Sequence, residues 1–230
     1  MRALIVNASA TIGVIFDMDG VLVDSAEAHF QSWQRLGRQQ GVQLTQEQFS
    51  ATFGRQNRDI IPLLFGEVSE PALREMADRK ERIYRDLIRA HPPIVDGAID
   101  LVVSLHEAGA QLAVGSSGPR ANIDLILEAM GVRDQVRVVV SSDDVSRGKP
   151  DPQVFSMACD RLGLPSRHCV VIEDAPSGVE AARAAGAHCV AVLMHHSRES
   201  LKRAHRVVEK LADLRVADLF SLVLDENVSR

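Results

Sequence analysis

Asp17 and Asp19 stand one residue apart at the end of a short apolar run, residues 13–16. In an extended segment, side chains two apart face the same side, so both carboxylates can point into one crevice. Carboxylates that close repel each other unless a cation or a shared proton relieves them. Three other groups occupy comparable places. Ser116-Ser117-Gly118-Pro119 offers hydroxyls and free amides ahead of a helix start, a favourable seat for an anion. Gly148-Lys149-Pro150-Asp151-Pro152 sets a lysine in a rigid turn, and Glu173-Asp174 leads into Pro176-Ser177-Gly178 and another helix.

Each group alone has an ordinary explanation: a solvated turn, a surface lysine, a helix N-cap. Their common placement, at the carboxyl ends of strand-like runs or in the loops that follow, argues for one site. Oxygen ligands from several carboxylates suit a hard cation, with Mg²⁺ the first candidate because it takes few protein carboxylates plus phosphate oxygens. Phosphate monoester hydrolysis is among the slowest uncatalysed reactions, with enzymatic accelerations up to about 10²¹. One acid–base residue supplies only about 10²–10⁴ of that. Such an enzyme needs a nucleophile, a metal, cationic stabilisation and a proton donor together. The chain offers one candidate for each.

The elements that would position these groups follow from the apolar patterning. Runs at residues 13–16, 112–114, 136–140, 169–172 and 189–192 lack polar alternation, as strands buried on both faces of a parallel sheet do. Helical patterns at 98–108, 121–130, 153–162 and 178–185 separate the later runs, and Gly109, Gly131, Gly163 and Gly186 close them as C-terminal caps. The alternation predicts an α/β fold, a Rossmann-like doubly wound parallel sheet. Residues 25–90 break the rhythm with helical patterns only. Leu73, Met76, Ile83, Tyr84, Leu87 and Ile88 form an apolar stripe there, which His91-Pro92-Pro93 ends. The expected division is a core of residues 1–24 and 92–230 and an inserted all-helical module of residues 25–91. A module inserted after the first strand would cover a site at the strand ends.

Composition narrows the function classes. The 230 residues are 46% hydrophobic and 25% charged, which excludes disordered and fibrous chains. With 26 Lys and Arg against 31 Asp and Glu, the net charge of −5 argues against a broad nucleic-acid-binding surface. It leaves room for a small cationic pocket. Cys159, Cys169 and Cys189 show no C-x-x-C spacing and read as buried thiols in a reducing compartment. The apolar residues 3–6 are too few for a signal segment of about 7–15, and no run approaches the roughly 18 residues of a membrane span. A cytoplasmic protein is expected, with a small phosphorylated metabolite as ligand and no nucleic acid, membrane or protein partner indicated.

These motifs resemble a known family. Asp17-Met18-Asp19-Gly20-Val21-Leu22-Val23-Asp24-Ser25 is similar to the first motif of the haloacid dehalogenase-like hydrolase superfamily. Ser116, Lys149 in Gly-Lys-Pro-Asp-Pro, and Glu173-Asp174-Ala175-Pro176-Ser177-Gly178 resemble its second, third and fourth motifs, in order, over residues 14 to about 193. The helical insertion resembles the cap of the β-phosphoglucomutase-like and sugar-phosphatase subgroup. The resemblance implies that Asp17 attacks phosphorus and becomes an aspartyl phosphate, and that Asp19 acts as general acid and base. It implies that Ser116 and Lys149 hold the transferring phosphoryl group. Asp174, a carboxylate oxygen of Asp17 and the main-chain oxygen of Asp19 would ligate Mg²⁺, with Glu173 supporting them.

In the cap, Lys80 lies within the apolar stripe. It either snorkels its stem over that face or, as the resemblance implies, reaches the crevice. His29 and Trp33 share a helix face at a spacing of four, with Trp33 read as packing and His29 as orienting Asp19. Gly54-Arg55-Gln56-Asn57-Arg58-Asp59 resembles the cap loop that selects substrate, so Gly54 and Arg55, together with His29, Lys80 and Ser117, are assigned to substrate binding. The second motif departs from the mutase pattern Ser-Ala-Ser-Lys-Asn: Ser116-Ser117-Gly118-Pro119-Arg120 lacks the side chains that hold a distal phosphate. A phosphatase is therefore favoured. A mutase is the alternative, with Arg120 as a substitute contact. A receiver-type phosphoacceptor or a catalytically dead binding module is a remote one, opposed by the insertion and the intact catalytic positions.

Overall fold

The computed structural model describes residues 11–52 and 54–224. In chain order the elements are β1 (Gly13–Phe16), α1 (Ala26–Gln39), α2 (Gln46–Ser50), α3 (Asn57–Phe65), α4 (Glu70–Ile88), α5 (Ala98–Glu107), β2 (Gln111–Gly115) and α6 (Arg120–Met130). Then follow β3 (Val136–Val140), α7 (Gln153–Leu162), β4 (Cys169–Glu173), α8 (Pro176–Ala184), β5 (His188–Val192), β6 (Arg206–Val208) and α9 (Val216–Leu224). The strands form one sheet in the order β3-β2-β1-β4-β5-β6, with every pairing parallel. The apolar runs are buried on both sides, as a helix-covered parallel sheet requires. Val14 and Phe16 face a core shared with α5, α6 and α9, while Ile15 faces one shared with α7 and α8.

Chain direction across the sheet reverses at β1, which has β2 on one side and β4 on the other. The carboxyl end of β1 is thus the switch point at which ligands of open α/β sheets bind. Helices α1–α4 all lie between β1 and α5. They enclose their own apolar cluster of Trp33, Leu36, Phe49, Ile60, Ile61 and Met76. Each fully buried aliphatic side chain there contributes about 1.5–3 kcal/mol. The two chain segments leading into and out of these helices run side by side: Val23 bridges Ile94, Asp24 N–H donates to Pro93 O (2.8 Å), and Val95 N–H donates to Leu22 O (3.0 Å).

The structure adds β6 and α9 beyond the runs that the sequence marks. β6 has three residues on the sheet edge with Arg206 exposed, so it carries no apolar run to detect. The three cysteines are buried and free. Residues 3–6 lie outside the described residues. Among the described residues no helix is long and apolar enough to cross a membrane.

Candidate active site

Strand register brings the separate motifs to one level. Phe16 pairs with both Val114 and Ile172. The next residues, Asp17, Gly115 and Glu173, therefore stand level at the sheet's end, with Ser116 and Asp174 one step further. Asp17 N–H donates to Ile172 O (2.9 Å), which carries the chain straight into the crevice.

Asp17, Glu173 and Asp174 are all buried, and each offers a carboxylate oxygen within 4.8 Å of the others. Lys149 reaches over them with its side chain only 4% exposed. Its Nζ donates to Asp17 Oδ1 (2.6 Å) and Glu173 Oε1 (2.7 Å). The other oxygen of Glu173 accepts from the N–H groups of Asp174 (2.7 Å) and Ala175 (2.8 Å). Glu173 is thereby saturated: it anchors the lysine and shapes the loop. Asp174 Oδ2 is buried with no hydrogen-bond partner. Burial, followed by the charges of Glu173 and Asp19, pushes Asp17 up to about 7 against the pull of Lys149. Burial, Glu173 and Asp17 likewise raise Asp174 well above the usual carboxylate range. An orphaned buried oxygen among strained carboxylates fits a hard cation bound by Asp17 and Asp174. Two glycines make the space. Gly20 has φ +87°, and a Cβ there would collide with the Asp174 carboxylate, while one on Gly178 would collide with Glu173.

Asp19 lines the same crevice but has a separate set of partners. Ser25 Oγ (2.5 Å) and His29 Nε2 (3.1 Å) both bind its Oδ1. Lys80 Nζ lies 2.6 Å from His29 Nδ1. An ammonium can only donate, so Nδ1 accepts, and the ring proton sits on Nε2 and is donated to Asp19. Burial works to raise Asp19, but attraction to His29 and the bonds from His29 and Ser25 outweigh it and hold Asp19 below its ordinary value. His29 also stacks on Tyr84, with centroids 3.9 Å apart and planes 6° apart. Of the two readings of Lys80, the inward one holds. The side chain is 2% exposed, 5.2 Å from the Trp33 ring centroid, and its Nζ also donates to Glu81 Oε1 (2.8 Å).

The assigned substrate residues converge. His29, Lys80, Gly54, Arg55 and Ser117 line one inner space of about 40 Å³ beside Asp19. A second space, about 20 Å³, opens over Asp17, Lys149 and Asp174. A roomier cavity, about 530 Å³, lies elsewhere, along the outer seam between α4 and α6. The convergent carboxylates line the two small spaces, not the outer cavity's mouth, which makes the small spaces the candidate site. Ser116 Oγ accepts from Gly118 N–H (3.0 Å) in the turn ahead of α6. Two arginines of the quoted motifs, Arg58 and Arg120, have partners outside these spaces. Arg58 binds Gln56 and Val145 O, and Arg120 pairs with Asp124 (3.0 Å) on the exposed face of α6. Sequence reasoning missed Ser25, Glu81 and Asn122. Ser25 stands inside the first motif and was legible there; the other two carry no motif.

The comparisons with known proteins fall on the same residues. A family model described as haloacid dehalogenase-like hydrolase matches residues 14–192, which include every residue of the crevice floor. The chain belongs to the haloacid dehalogenase-like hydrolases. Among its relatives is a validoxylamine A 7′-phosphate phosphatase of Streptomyces hygroscopicus subsp. limoneus, 32% identical, with the match covering 87% of this chain and 94% of that one. The β-phosphoglucomutase of Bacillus subtilis is 29% identical over 87% of this chain and 90% of its own. The fold matches a crystal structure of β-phosphoglucomutase from Clostridium difficile with a TM-score of 0.84 at 23% identity, covering 96% of this chain and 100% of that one. The relatives of this haloacid dehalogenase-like hydrolase thus include both a phosphatase and a mutase, and membership in the family makes it an enzyme.

Proposed function

We propose that this protein is a Mg²⁺-dependent phosphatase that hydrolyses a small phosphorylated metabolite, such as a sugar phosphate or a phosphoglycolate-like ester, through an aspartyl phosphate on Asp17. The observation that carries this reading is the separation of two neighbouring carboxylates. Asp17 sits in the lysine-bridged acidic floor, and Asp19 is held by Ser25 and His29. Asp17 and Asp174 would hold the metal, together with the main-chain oxygen of Asp19 and with Glu173 in support. Bound Mg²⁺ supplies positive charge that offsets these carboxylates and the transferring phosphoryl group.

In the protein alone, the shifts on the two aspartates run against their roles, and the charges of the reaction complex reverse both. Asp17 returns to its ionised, nucleophilic form once its neighbours are offset. Asp19 rises toward the protonated form when a phosphate dianion, a like charge, lies beside it. Asp19 then protonates the leaving oxygen and afterwards takes a proton from the water that attacks the aspartyl phosphate. Ser116 and Lys149 hold the phosphoryl oxygens. Residues 25–91 act as a cap domain on the core of residues 1–24 and 92–230, and His29, Gly54, Arg55, Lys80 and Ser117 receive the leaving group. The phosphatase relative supports hydrolysis. The mutase reading has its own relative, but Arg120, its substitute for the missing distal contact, is already engaged with Asp124.

The purified protein with Mg²⁺ is to be tested on a panel of sugar phosphates and phosphoglycolate. The assay measures released phosphate alongside glucose 6-phosphate formed from β-glucose 1-phosphate. Phosphate release is expected; isomerisation with negligible release would decide for the mutase. A second expectation concerns pH. An Asp17 raised from 3.8 to about 7 binds its proton more tightly in the folded than in the unfolded chain. Its stabilising contribution is complete below the unfolded value and is lost as pH rises through about 7. Cation binding must displace that proton. Mg²⁺ is thus expected to raise the Tm more at pH 8 than at pH 6, and a shift equal at both pH values would reject the site.

A further inference from the structure

One buried carboxylate has no part in the chemistry above. Glu81 on α4 is 5% exposed. Its Oε1 accepts from Lys80 Nζ (2.8 Å) and Asn57 Nδ2 (2.8 Å), and its Oε2 accepts from Asn122 Nδ2 (2.7 Å). Asn122, in the first turn of α6, is fully buried, and its Oδ1 accepts from Arg85 (2.8 Å). Lys80, Asn57 and Arg85 belong to the helices inserted after β1, whereas Asn122 belongs to the sheet-covering layer. The Glu81–Asn122 bond therefore crosses the seam.

Three features make this bond more than packing. First, burial works to raise Glu81, but attraction to Lys80 and His29 and bonds from Lys80 and Asn122 bring it down to about 2. A buried anion persists only while its partners stay in place. Second, Lys80 joins Glu81 to His29, and His29 holds Asp19, so the seam and the proton donor share one hydrogen-bonded chain. Third, Asn57 and Glu81 line both the 40 Å³ inner space and the 530 Å³ outer cavity. These two residues form part of the wall between them. The inner spaces have room for little more than a few waters, so a substrate needs them to widen, and parting that wall would join them to the outer cavity.

We propose that Glu81 is a positioning residue: its bond to Asn122 latches α4 onto α6, and the latched state holds Lys80 and His29 where they orient Asp19. The orienting role rests on the phosphatase reading; the latch does not. Opening exchanges Asn122 for water at the Glu81 carboxylate, an exchange that costs little and can reverse in each turnover.

The test exchanges donor and acceptor. Asn122→Asp alone sets two carboxylates face to face and is expected to open the seam. In Glu81→Gln/Asn122→Asp, the new amide oxygen still accepts from Lys80 and Asn57, its nitrogen donates across the seam, and Arg85 pairs with the new carboxylate. Small-angle X-ray scattering reads the radius of gyration, and steady-state kinetics on the best substrate of the panel read kcat and KM. Asn122→Asp is expected to enlarge the radius and lower kcat about 10²-fold, the scale for a displaced catalytic group. The double variant is expected to restore the wild-type radius and bring kcat back to within about 3-fold, since its hydrogen-bond set is complete again.

If Glu81 merely packs, the double variant, which still buries a carboxylate at position 122, stays as impaired as the single one. An unchanged radius in Asn122→Asp overturns the latch, and an enlarged radius with unchanged kcat overturns the positioning role. If that variant does not fold, Asn122→Ala, which removes the donor without adding charge, carries the same expectations. A wild-type protein that releases no phosphate overturns the functional reading, and scattering still decides the latch.

Discussion

Asp17→Asn is expected to abolish phosphate release, by on the order of 10⁴-fold or more, the scale seen when a nucleophile is removed. The substitution changes shape by almost nothing, so the loss is chemical. An amide oxygen at this position cannot attack phosphorus to give an acyl phosphate, and the acidic floor loses one charge. The fold should survive: Lys149 keeps its bond to Glu173 (2.7 Å), and one of the carboxylates that raise each other's pKa is gone. The Tm is expected to hold or rise while Mg²⁺ affinity falls. Phosphate release, thermal unfolding and Mg²⁺ titration on one preparation separate these effects. Retention of more than about 1% of turnover would refute Asp17 as the nucleophile.

Lys149→Met ranks next. Among the described residues Lys149 is the one cation that bridges Asp17 and Glu173, and their attraction outweighs burial and holds its pKa above the ordinary lysine value. Its removal takes away charge stabilisation of the transferring phosphoryl group, for which a loss of about 10²–10³ in kcat is the usual scale. Stability falls as well, because breaking a buried pair from one side costs about 3–5 kcal/mol. That cost depends on pH. Asp17, already near 7, can take up a proton in place of the lost ammonium. The loss of stability is therefore expected to be larger at pH 8 than at pH 5.5, as measured by urea unfolding at the two values. A pH-independent loss would show that the lysine acts through contacts other than this ion pair, for instance its ammonium over the Phe155 ring, 4.6 Å from the centroid.

The strands that carry chemistry were legible because a strand buried on both faces is written as an unbroken apolar run. Residues 13–16 and 169–172 are such runs, and the polar residues that follow them line the crevice. β6 was not legible: an edge strand of three residues starting at an exposed Arg206 has no composition to set it apart. Lys80 was visible only as an ambiguity, since a lysine within an apolar stripe fits both inward and outward readings. Glu81 and Asn122 were invisible for a deeper reason. Each is a polar residue on a helix, which in sequence reads as a solvated position. Their burial is a property of two surfaces meeting 41 residues apart in the chain. No periodicity encodes a contact of that kind.

The pairing of Val23 with Ile94 has a consequence for how such an enzyme can change over time. The two crossings of the chain are stitched to each other within a few residues, so whatever hangs beyond them begins and ends at one point in space. A module of different length or architecture can be exchanged there without moving the ends of β1 or β2. On the proposed reading, the floor that would break the phosphate ester and the roof that would choose it are joined as a socket and a plug. One catalytic base can therefore serve many leaving groups by swapping what is plugged in.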